Sequence, residues 1–230
     1  MRFDDKVVLI TGAAGNLGQA VAAAFAEAGA KLALLDLDVQ RLQAAQPAAL
    51  CLATNLLDAA SVERAVDAAA TRFGRIDVLC NIAGGFRMGP PVHETGDELW
   101  SSMMDLNARS VVQMARAVVP RMLRAGSGAI VNVAAMAGLV GKAGMAAYCA
   151  SKSATIRLTE SMSAELREQG INVNCVMPSI IDTPQNRAAM PNADPSRWVE
   201  PAALAAVILF LASEQARAIH GAAIPVVGLS

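Results

Sequence analysis

Short apolar runs alternate along the chain with longer Ala-rich stretches whose polar residues recur at helical spacing. The longer stretches predict helices, and the short runs predict strands at 6–10, 31–35, 49–53, 78–80, 129–133, 172–176 and 223–227. Strands that alternate with helices are typical of a parallel sheet with helices on both faces. The pattern therefore predicts a three-layer, doubly wound α/β fold around a mostly or fully parallel sheet of about seven strands.

Glycines and one capping pattern set the expected limits of the helices. Gly29 and Gly74 follow the stretches at 17–28 and 61–73, and glycine is the residue that most readily ends a helix. Thr95 and Glu98 have the spacing of a capping box, which predicts one long helix from there to about Leu123. Further helices are expected at 146–169 and 201–212.

The composition favours a single domain over residues 1–230. Hydrophobic residues make up 54% of the chain and charged residues 17%, which excludes a disordered chain and can fill a large core. The formal net charge of −1 gives no general attraction to nucleic acid or to a membrane surface. No apolar run reaches the roughly 20 residues of a membrane span, and residues 1–6 lack the apolar segment of a secretory signal.

The residues that most often bind metals are few and scattered: Cys51, Cys80, Cys149, Cys175, His93 and His220. No pair among them has the spacing of metal ligands, so no metal site is expected. Cysteines of this kind are typical of small buried side chains in a reducing compartment. We therefore expect a cytoplasmic protein.

A glycine-rich segment, TGAAGNLG at 11–18, follows the first strand and opens the first helix. Gly12, Gly15 and Gly18 permit a tight turn and let the backbone approach a pyrophosphate, which would rest at the helix N-terminus beside Asn16 and Leu17. Such loops also arise when a helix simply packs closely on a sheet. The position between strand and helix favours dinucleotide binding.

Two further strand ends point to the same ligand. Asp36 follows the second strand, where a carboxylate accepts hydrogen bonds from the adenosine ribose and repels a 2′-phosphate. Ala13, Ala14 and Leu37 supply no cation for such a phosphate, so NAD(H) is expected rather than NADP(H). After the fourth strand, the segment 81–85 (NIAGG) brings Asn81, Ala83 and Gly84 beside the glycine loop, although it could be no more than a turn.

Tyr148 and Lys152 lie four residues apart and so share one face of a helix. An ammonium beside a phenol favours the phenolate, so we expect Lys152 to lower the pKa of Tyr148 from its usual value of about 10. Tyr148 is then a general acid or base for catalysis. A Tyr–Lys pair at this spacing often lies on a helix surface without any function. Tyr148 is, however, the only tyrosine in the chain, which favours a functional role.

Together these motifs resemble the short-chain dehydrogenase/reductase family over essentially the whole chain, and the resemblance implies a Rossmann fold. It implies that Tyr148 donates or accepts the proton, that Lys152 holds the nicotinamide ribose, and that Asn107 supports a relay water. It also implies that Asn55 or Leu56 flanks the adenine, and that Ile181 and Thr183, after Pro178, contact the nicotinamide.

The chain departs from the family pattern at two places. Asn16 stands where many members have the middle glycine, which indicates a subtype difference. Ala135 stands where the family has its catalytic serine, and the neighbouring Ala134 supplies no hydroxyl either. Losing such a donor commonly costs about 10²–10³ in rate. Dihydropteridine reductase is a branch that lacks this serine, and the segments 83–86 and 182–198 are locally similar to it.

Three functions remain open from the sequence. The first is NADH-dependent reduction of a small carbonyl, imine or quinonoid compound, with a pteridine-like ring among the candidates. The second is an ordinary dehydrogenase or reductase of secondary alcohols or 3-hydroxyacyl (3-oxoacyl) groups. The third is a non-catalytic NAD sensor or scaffold. Trp198 could stack on a flat ligand or pack inside the fold, and the helices at 98–123 and 146–169 are expected to join copies of the chain in a homodimer or homotetramer.

Overall fold

The computed structural model describes residues 1–230, and its seven strands form one sheet in which every neighbouring pair is parallel. The strands are β1 (Val7–Thr11), β2 (Lys31–Asp36), β3 (Leu50–Ala53), β4 (Val78–Asn81), β5 (Gly128–Val133), β6 (Ile171–Pro178) and β7 (Ala223–Val226). Their order across the sheet is β3-β2-β1-β4-β5-β6-β7. The fully parallel alternative of the prediction is confirmed.

Eight helices connect the strands. They are α1 (Asn16–Glu27), α2 (Val39–Ala45), α3 (Ala59–Phe73), α4 (Asp97–Met104), α5 (Ser110–Ala125), α6 (Ala146–Leu166), α7 (Pro184–Ala189) and α8 (Pro201–Leu211). The chain passes from β1 outward to β2 and β3 and then returns to place β4 on the other side of β1. Strand order therefore reverses between β1 and β4, and ligands of such sheets bind at the carboxyl ends beside this reversal.

The core lies on both faces of the sheet because successive strand residues point to opposite sides. On one face Val8 and Ile10 belong to the cluster that includes Phe25 of α1 and Ile208 of α8. On the other, Leu9 lies in a cluster with residues of α3 and α5. The strands are apolar at nearly every position because both faces are covered.

The structure corrects the predicted helix at 95–123. Gly96, and not Thr95, precedes α4, and the hydroxyl of Thr95 donates to the carbonyl of Pro91 at 3.3 Å, so no capping box forms. The helix is also interrupted: residues 105–109 form a turn of π-helix between α4 and α5. In addition, α2 and α7 were not predicted, because each is short and α2 buries only Leu42.

Candidate functional site

The glycine loop is packed so closely that two of its positions admit no side chain. Gly12 has φ +64°, and a Cβ there would lie 2.7 Å from the Cα of Ala83. A Cβ on Gly18 would overlap the carbonyl of Gly12. Gly15 precedes α1 and donates its amide to the Gly12 carbonyl at 3.1 Å. The loop therefore presents bare backbone at the N-terminus of α1, the arrangement that accepts a phosphate.

Asp36 is held against this loop at the end of β2. One oxygen, Oδ2, accepts the amide of Ala14 at 3.0 Å, and Oδ1 accepts the amide of Asp38 at 3.2 Å. The side chain is half-buried, beside an exposed Leu37. The carboxylate is thus oriented by backbone donors and stands where the sequence prediction placed it.

The predicted adenine contacts lie farther out along the same edge. Asn55 is exposed after β3, where its Oδ1 accepts the amide of Leu57 at 3.0 Å and its own amide donates to Ser61 Oγ at 3.0 Å. Leu56 is half-buried against the face covered by α3. These bonds fix the turn, so either residue is placed to border a ligand that lies across β2 and β3.

Asn81, which the sequence predicts to lie beside the glycine loop and bind the cofactor, has a side chain that bonds within the fold. The side chain is buried at the end of β4, and its Nδ2 donates to Oδ1 of Asn132 on β5 at 2.8 Å. Asn132 in turn donates to the hydroxyl of Thr159 on α6 at 2.9 Å. The Asn81 side chain therefore joins β4, β5 and α6. The backbone that follows, Ala83 and Gly84, is what faces the glycine loop and Lys152.

Tyr148 and Lys152 share one face of α6, but they are not hydrogen-bonded to each other. The buried Lys152 Nζ donates to the carbonyl of Val133 at 2.8 Å. Burial lowers the pKa of Lys152 to about 8 and raises the pKa of Tyr148 to about 12. The predicted lowering of the tyrosine pKa is absent from this structure, where burial and, to a smaller extent, the neighbouring Cys149 both raise that pKa.

Asn107 lies within the π-helical turn and reaches two elements of the site. Its Oδ1 accepts the amide of Gly85 at 2.9 Å, and its Nδ2 donates to the carbonyl of Gly85 and to Ser151 Oγ, both at 3.0 Å. Its own carbonyl accepts the hydroxyl of Thr155 at 3.0 Å. Turns of π-helix often mark functional sites, and this one aims Asn107 between the segment after β4 and α6.

No hydroxyl replaces the family serine at Ala135. Ala135 is buried in a small apolar cluster with Ala137 and Cys149, against which Tyr148 packs. Ser151 cannot substitute, because it is buried and its hydroxyl donates to the Tyr148 carbonyl at 2.8 Å while accepting from Asn107. The wall beside the tyrosine ring is therefore apolar.

The segment after β6 closes over the site from the other side. Pro178 ends β6, Ile181 bridges to Val199, and Thr183 caps α7 by accepting the amide of Asn186 at 3.2 Å. Asn16 of the glycine loop donates to Gln185 Oε1 on α7 at 2.7 Å. The segment thus reaches back to the pyrophosphate end of the cleft.

Trp198 follows α7, and its side chain is buried. The side chain is only 6% exposed, so Trp198 packs inside the fold, which is one of the two roles that the sequence left open.

Sequence reasoning missed several polar residues that hold the site together: Thr11, Asn132, Ser151, Thr155 and Thr159. Thr11 Oγ1, for example, accepts the amides of Ile82 and Ala83 at 3.1 and 3.2 Å and ties β1 to β4. A signal was present, since a polar residue inside an apolar strand, such as Asn132, must find a buried partner.

The described residues suit a nicotinamide dinucleotide. The bare glycine loop can hold the pyrophosphate, and Asp36 can hold the adenosine ribose. The strand ends from Asn81 to Thr183 can hold the nicotinamide half. The structure contains no group of three or more His, Cys, Asp or Glu residues that could hold a metal ion. None of its helices is long and apolar enough to cross a membrane.

Comparisons with known proteins agree with this geometry. The family profile described as short chain dehydrogenase matches residues 6–194. D-threitol dehydrogenase of Mycolicibacterium smegmatis is 38% identical over 96% of this chain and 91% of that protein. The solved structure of levodione reductase is 31% identical, with a TM-score of 0.92 over 99% of this chain and 98% of that one. NAD⁺-bound xylitol dehydrogenase has a TM-score of 0.92 at 28% identity, covering 99% and 100% of the two chains.

Proposed function

The chain belongs to the short-chain dehydrogenase family of oxidoreductases, and on that premise we propose that it interconverts a small carbonyl compound and its reduced form with NAD(H), Tyr148 carrying the proton. The observation that carries the proposal is the convergence of Tyr148, Lys152 and Asn107 at the strand ends that face the glycine loop. Bound NAD(H) would supply or accept the hydride.

The choice of NAD over NADP rests on Asp36. Its Oδ2 is held by the amide of Ala14 at 3.0 Å, so the carboxylate cannot turn away from the ribose without losing that bond. A 2′-phosphate would meet this negative charge at close range. The NAD⁺-bound state of the xylitol dehydrogenase structure is consistent with the same choice.

Proton transfer is assigned to the hydroxyl of Tyr148. Because burial raises its pKa to about 12, the tyrosine is protonated at neutral pH, the form that donates to a carbonyl oxygen during reduction. In oxidation the tyrosine must first lose its own proton, because only the phenolate oxygen can take the proton of the alcohol, and the cationic form of Lys152 favours that phenolate by attraction. Lys152 and Asn107 position the reacting groups.

The relatives are named as a dehydrogenase of threitol, a dehydrogenase of xylitol and a reductase of levodione. These names support a secondary alcohol and its ketone as the substrate pair, and 3-hydroxyacyl groups are a variant of the same chemistry. A quinonoid, imine or pteridine-like substrate is the second candidate, and Ala135 favours it. Such a substrate carries its own conjugated acceptor and depends less on a serine donor. The non-catalytic sensor is the third candidate. The assembly of Tyr148, Lys152 and Asn107 argues against it, because a protein that only binds NAD does not need all three side chains.

The test compares the wild type with Tyr148→Phe. Secondary alcohols, ketones and quinonoid dihydropterin are assayed with NAD(H), and NADH binding is measured by fluorescence. We expect turnover to fall by about 10²–10⁴ in the variant while NADH still binds. Full activity of Tyr148→Phe would refute the assignment, and NAD binding without turnover of any substrate by the wild type would favour the sensor.

Ala135→Ser separates the two substrate classes. A large gain on simple ketones would identify an alcohol dehydrogenase with a weakened donor set, whereas no gain would favour the quinonoid class. The cytoplasmic location and the homodimer or homotetramer stay predictions.

A further inference from the structure

Two loops border the ring of Tyr148, and both expose apolar side chains. The first, 86–91, carries Phe86 at 52% and Met88 at 61% exposed; the second, 139–145, carries Leu139 at 55% and Val140 at 61%. Large apolar side chains exposed together beside a reactive group commonly mark a ligand site.

The first loop is held in place by close contacts at Gly85, which directly precedes it, and at Gly89 within it. A Cβ on Gly85 would lie 2.7 Å from Leu106 Cδ2, and one on Gly89 would lie 2.5 Å from Leu99 Cδ2 of α4. Gly89 also donates its amide to the carbonyl of Gly144 in the second loop at 2.8 Å. The loops are therefore fixed to α4 and to each other, and Phe86 is presented from a fixed backbone.

Phe86 and Tyr148 form a corner of two aromatic rings. Their centroids are 4.9 Å apart and their planes meet at 87°. Ala135 and Ala137, with Met145 packed against them, extend the apolar surface from the tyrosine side. Apart from the Tyr148 hydroxyl, this cluster carries no hydroxyl or amide side chain, and the nearby Asn107 and Ser151 are bonded to each other.

We propose that Phe86 determines specificity, and that the substrate is an apolar ring whose ring carbon bears the reacting oxygen, rather than an open-chain polyol. This inference rests on the proposed function. A flat or puckered ring can touch both aromatic rings of the corner while its oxygen meets the tyrosine hydroxyl. A polyol would leave several hydroxyls against apolar walls without hydrogen-bond partners, which costs affinity.

The test measures NAD⁺-dependent oxidation of cyclohexanol, 2-hexanol and xylitol by the wild type and by Phe86→Ala. Because these substrates are uncharged, their rates do not depend on attraction to Arg87 and Lys142, the exposed cations of the two loops. We expect kcat/KM to fall in the order cyclohexanol, 2-hexanol, xylitol. Phe86→Ala should raise KM for cyclohexanol about tenfold, with kcat changed much less, while Phe86→Leu restores part of the loss.

Val92→Ala is the matched control, because Val92 is 74% exposed and lies beyond the same loop; its kinetics should equal those of the wild type. A preference for xylitol would overturn the inference, as would equal losses on all three alcohols in Phe86→Ala. An altered oligomeric state of Phe86→Ala in light scattering, with unchanged KM, would assign the apolar surface to a second copy and would also overturn it.

Failure of the proposed function is recognised separately by calorimetry. Binding of cyclohexanone to the NADH complex of Tyr148→Phe requires no turnover, and Phe86→Ala in that background should weaken it about tenfold. If the wild type turns over none of the substrates but this binding and its dependence on Phe86 persist, the ring site stands and the catalytic assignment falls. If cyclohexanone does not bind, the ring site falls.

Discussion

The two halves of the cleft are built in different ways. The half that we propose holds the adenosine (the adenosine half) lies at the ends of β1, β2 and β3. It is held mainly through backbone groups: Gly12 lies in close contact with Ala83, and the amide of Ala14 donates to the Asp36 carboxylate. The half that we propose carries the catalysis (the catalytic half) lies at the ends of β4, β5 and β6 and is held by buried side chains. Asn81, Asn132 and Thr159 form one chain of hydrogen bonds there, and Asn107 joins Ser151 in another.

This difference separates the effects that substitutions should have. A side chain changed in the adenosine half mainly alters the proposed contacts to the cofactor, because the glycine loop is held by its own backbone contacts. One changed in the catalytic half leaves a buried partner unsatisfied, at a cost of about 1–3 kcal/mol, and shifts reacting groups. Affinity and turnover should therefore respond separately in the two halves, and four variants probe that separation.

The largest effect is expected for Asn107→Ala in the catalytic half. The substitution removes three hydrogen bonds to Gly85 and Ser151, and a displacement of about 1 Å at reacting groups can lower turnover by about 10². We expect kcat to fall by that factor, while the dissociation constant for NADH in fluorescence titration changes by less than about threefold. Ser102→Ala, on α4 and bonded only to the Leu99 carbonyl, is the control. A parallel loss of NADH affinity would contradict the separation.

Lys152→Met should change the pH dependence of stability. The pKa of Lys152 is lowered from 10.5 to about 8 by burial, so between those values the unfolded chain binds a proton that the folded protein has released. Folding stability therefore rises with pH in this window, and below it both states are protonated. From about pH 8 to 10 the wild type should gain about 2 kcal/mol in unfolding free energy relative to the variant.

Urea denaturation at several pH values measures this gain. Lys142→Met removes an exposed lysine instead, and its unfolding free energy should change with pH in parallel with that of the wild type. A constant difference between the wild type and Lys152→Met across the window would refute the assigned pKa.

Asp36→Ser probes the adenosine half. It removes a charged acceptor, and hydrogen bonds to charged groups contribute about 1.5–3 kcal/mol. We expect the dissociation constant for NADH to rise about tenfold and that for NADPH to fall about tenfold, with kcat at saturating NADH nearly unchanged. Asp38→Ser alters the neighbouring aspartate, whose side chain caps α2 by accepting the amide of Arg41, and should leave the preference for NADH intact. Unchanged cofactor preference in Asp36→Ser would disprove the role of Asp36.

The smallest effect is expected where the two halves meet. Gln185→Ala breaks the exposed bond to Asn16, worth about 0.5 kcal/mol, and should speed NADH release about twofold in stopped-flow measurements. Asn16→Ala should have the same effect, and the double variant should add nothing further. Additive effects would show that the two residues act independently.

The sequence predicted the sheet well because its strands are short apolar runs between longer segments with polar residues, and burial on both faces makes the strands apolar at nearly every position. Predicted and observed strands differ by one or two residues at their ends, as at 172–176 against Ile171–Pro178. The missed helix α7 begins with Pro184 and has no buried residue, so it lacks the apolar periodicity by which helices are recognised.

In the site, residues that act through local sequence were predictable and those that act through distant partners were not. Asp36 and the glycine loop follow their strands directly, and their positions agree with the prediction. The bond of Asn81 to Asn132 spans 51 positions, so no local pattern reveals it. The pKa of Tyr148 likewise depends on burial, which the four-residue spacing to Lys152 does not report.

The π-helical turn at 105–109 also sets the phase of everything that follows it in the helix. One residue of an α-helix corresponds to a rotation of about 100°, and a π-turn accommodates one residue more than an α-turn. Removing a single residue here to make the helix regular would turn α5 by that angle and carry Met114, Val118 and Met122 away from the sheet. The irregular turn that aims Asn107 therefore also keeps the apolar side of α5 in register with the core, so neither can be redesigned without the other.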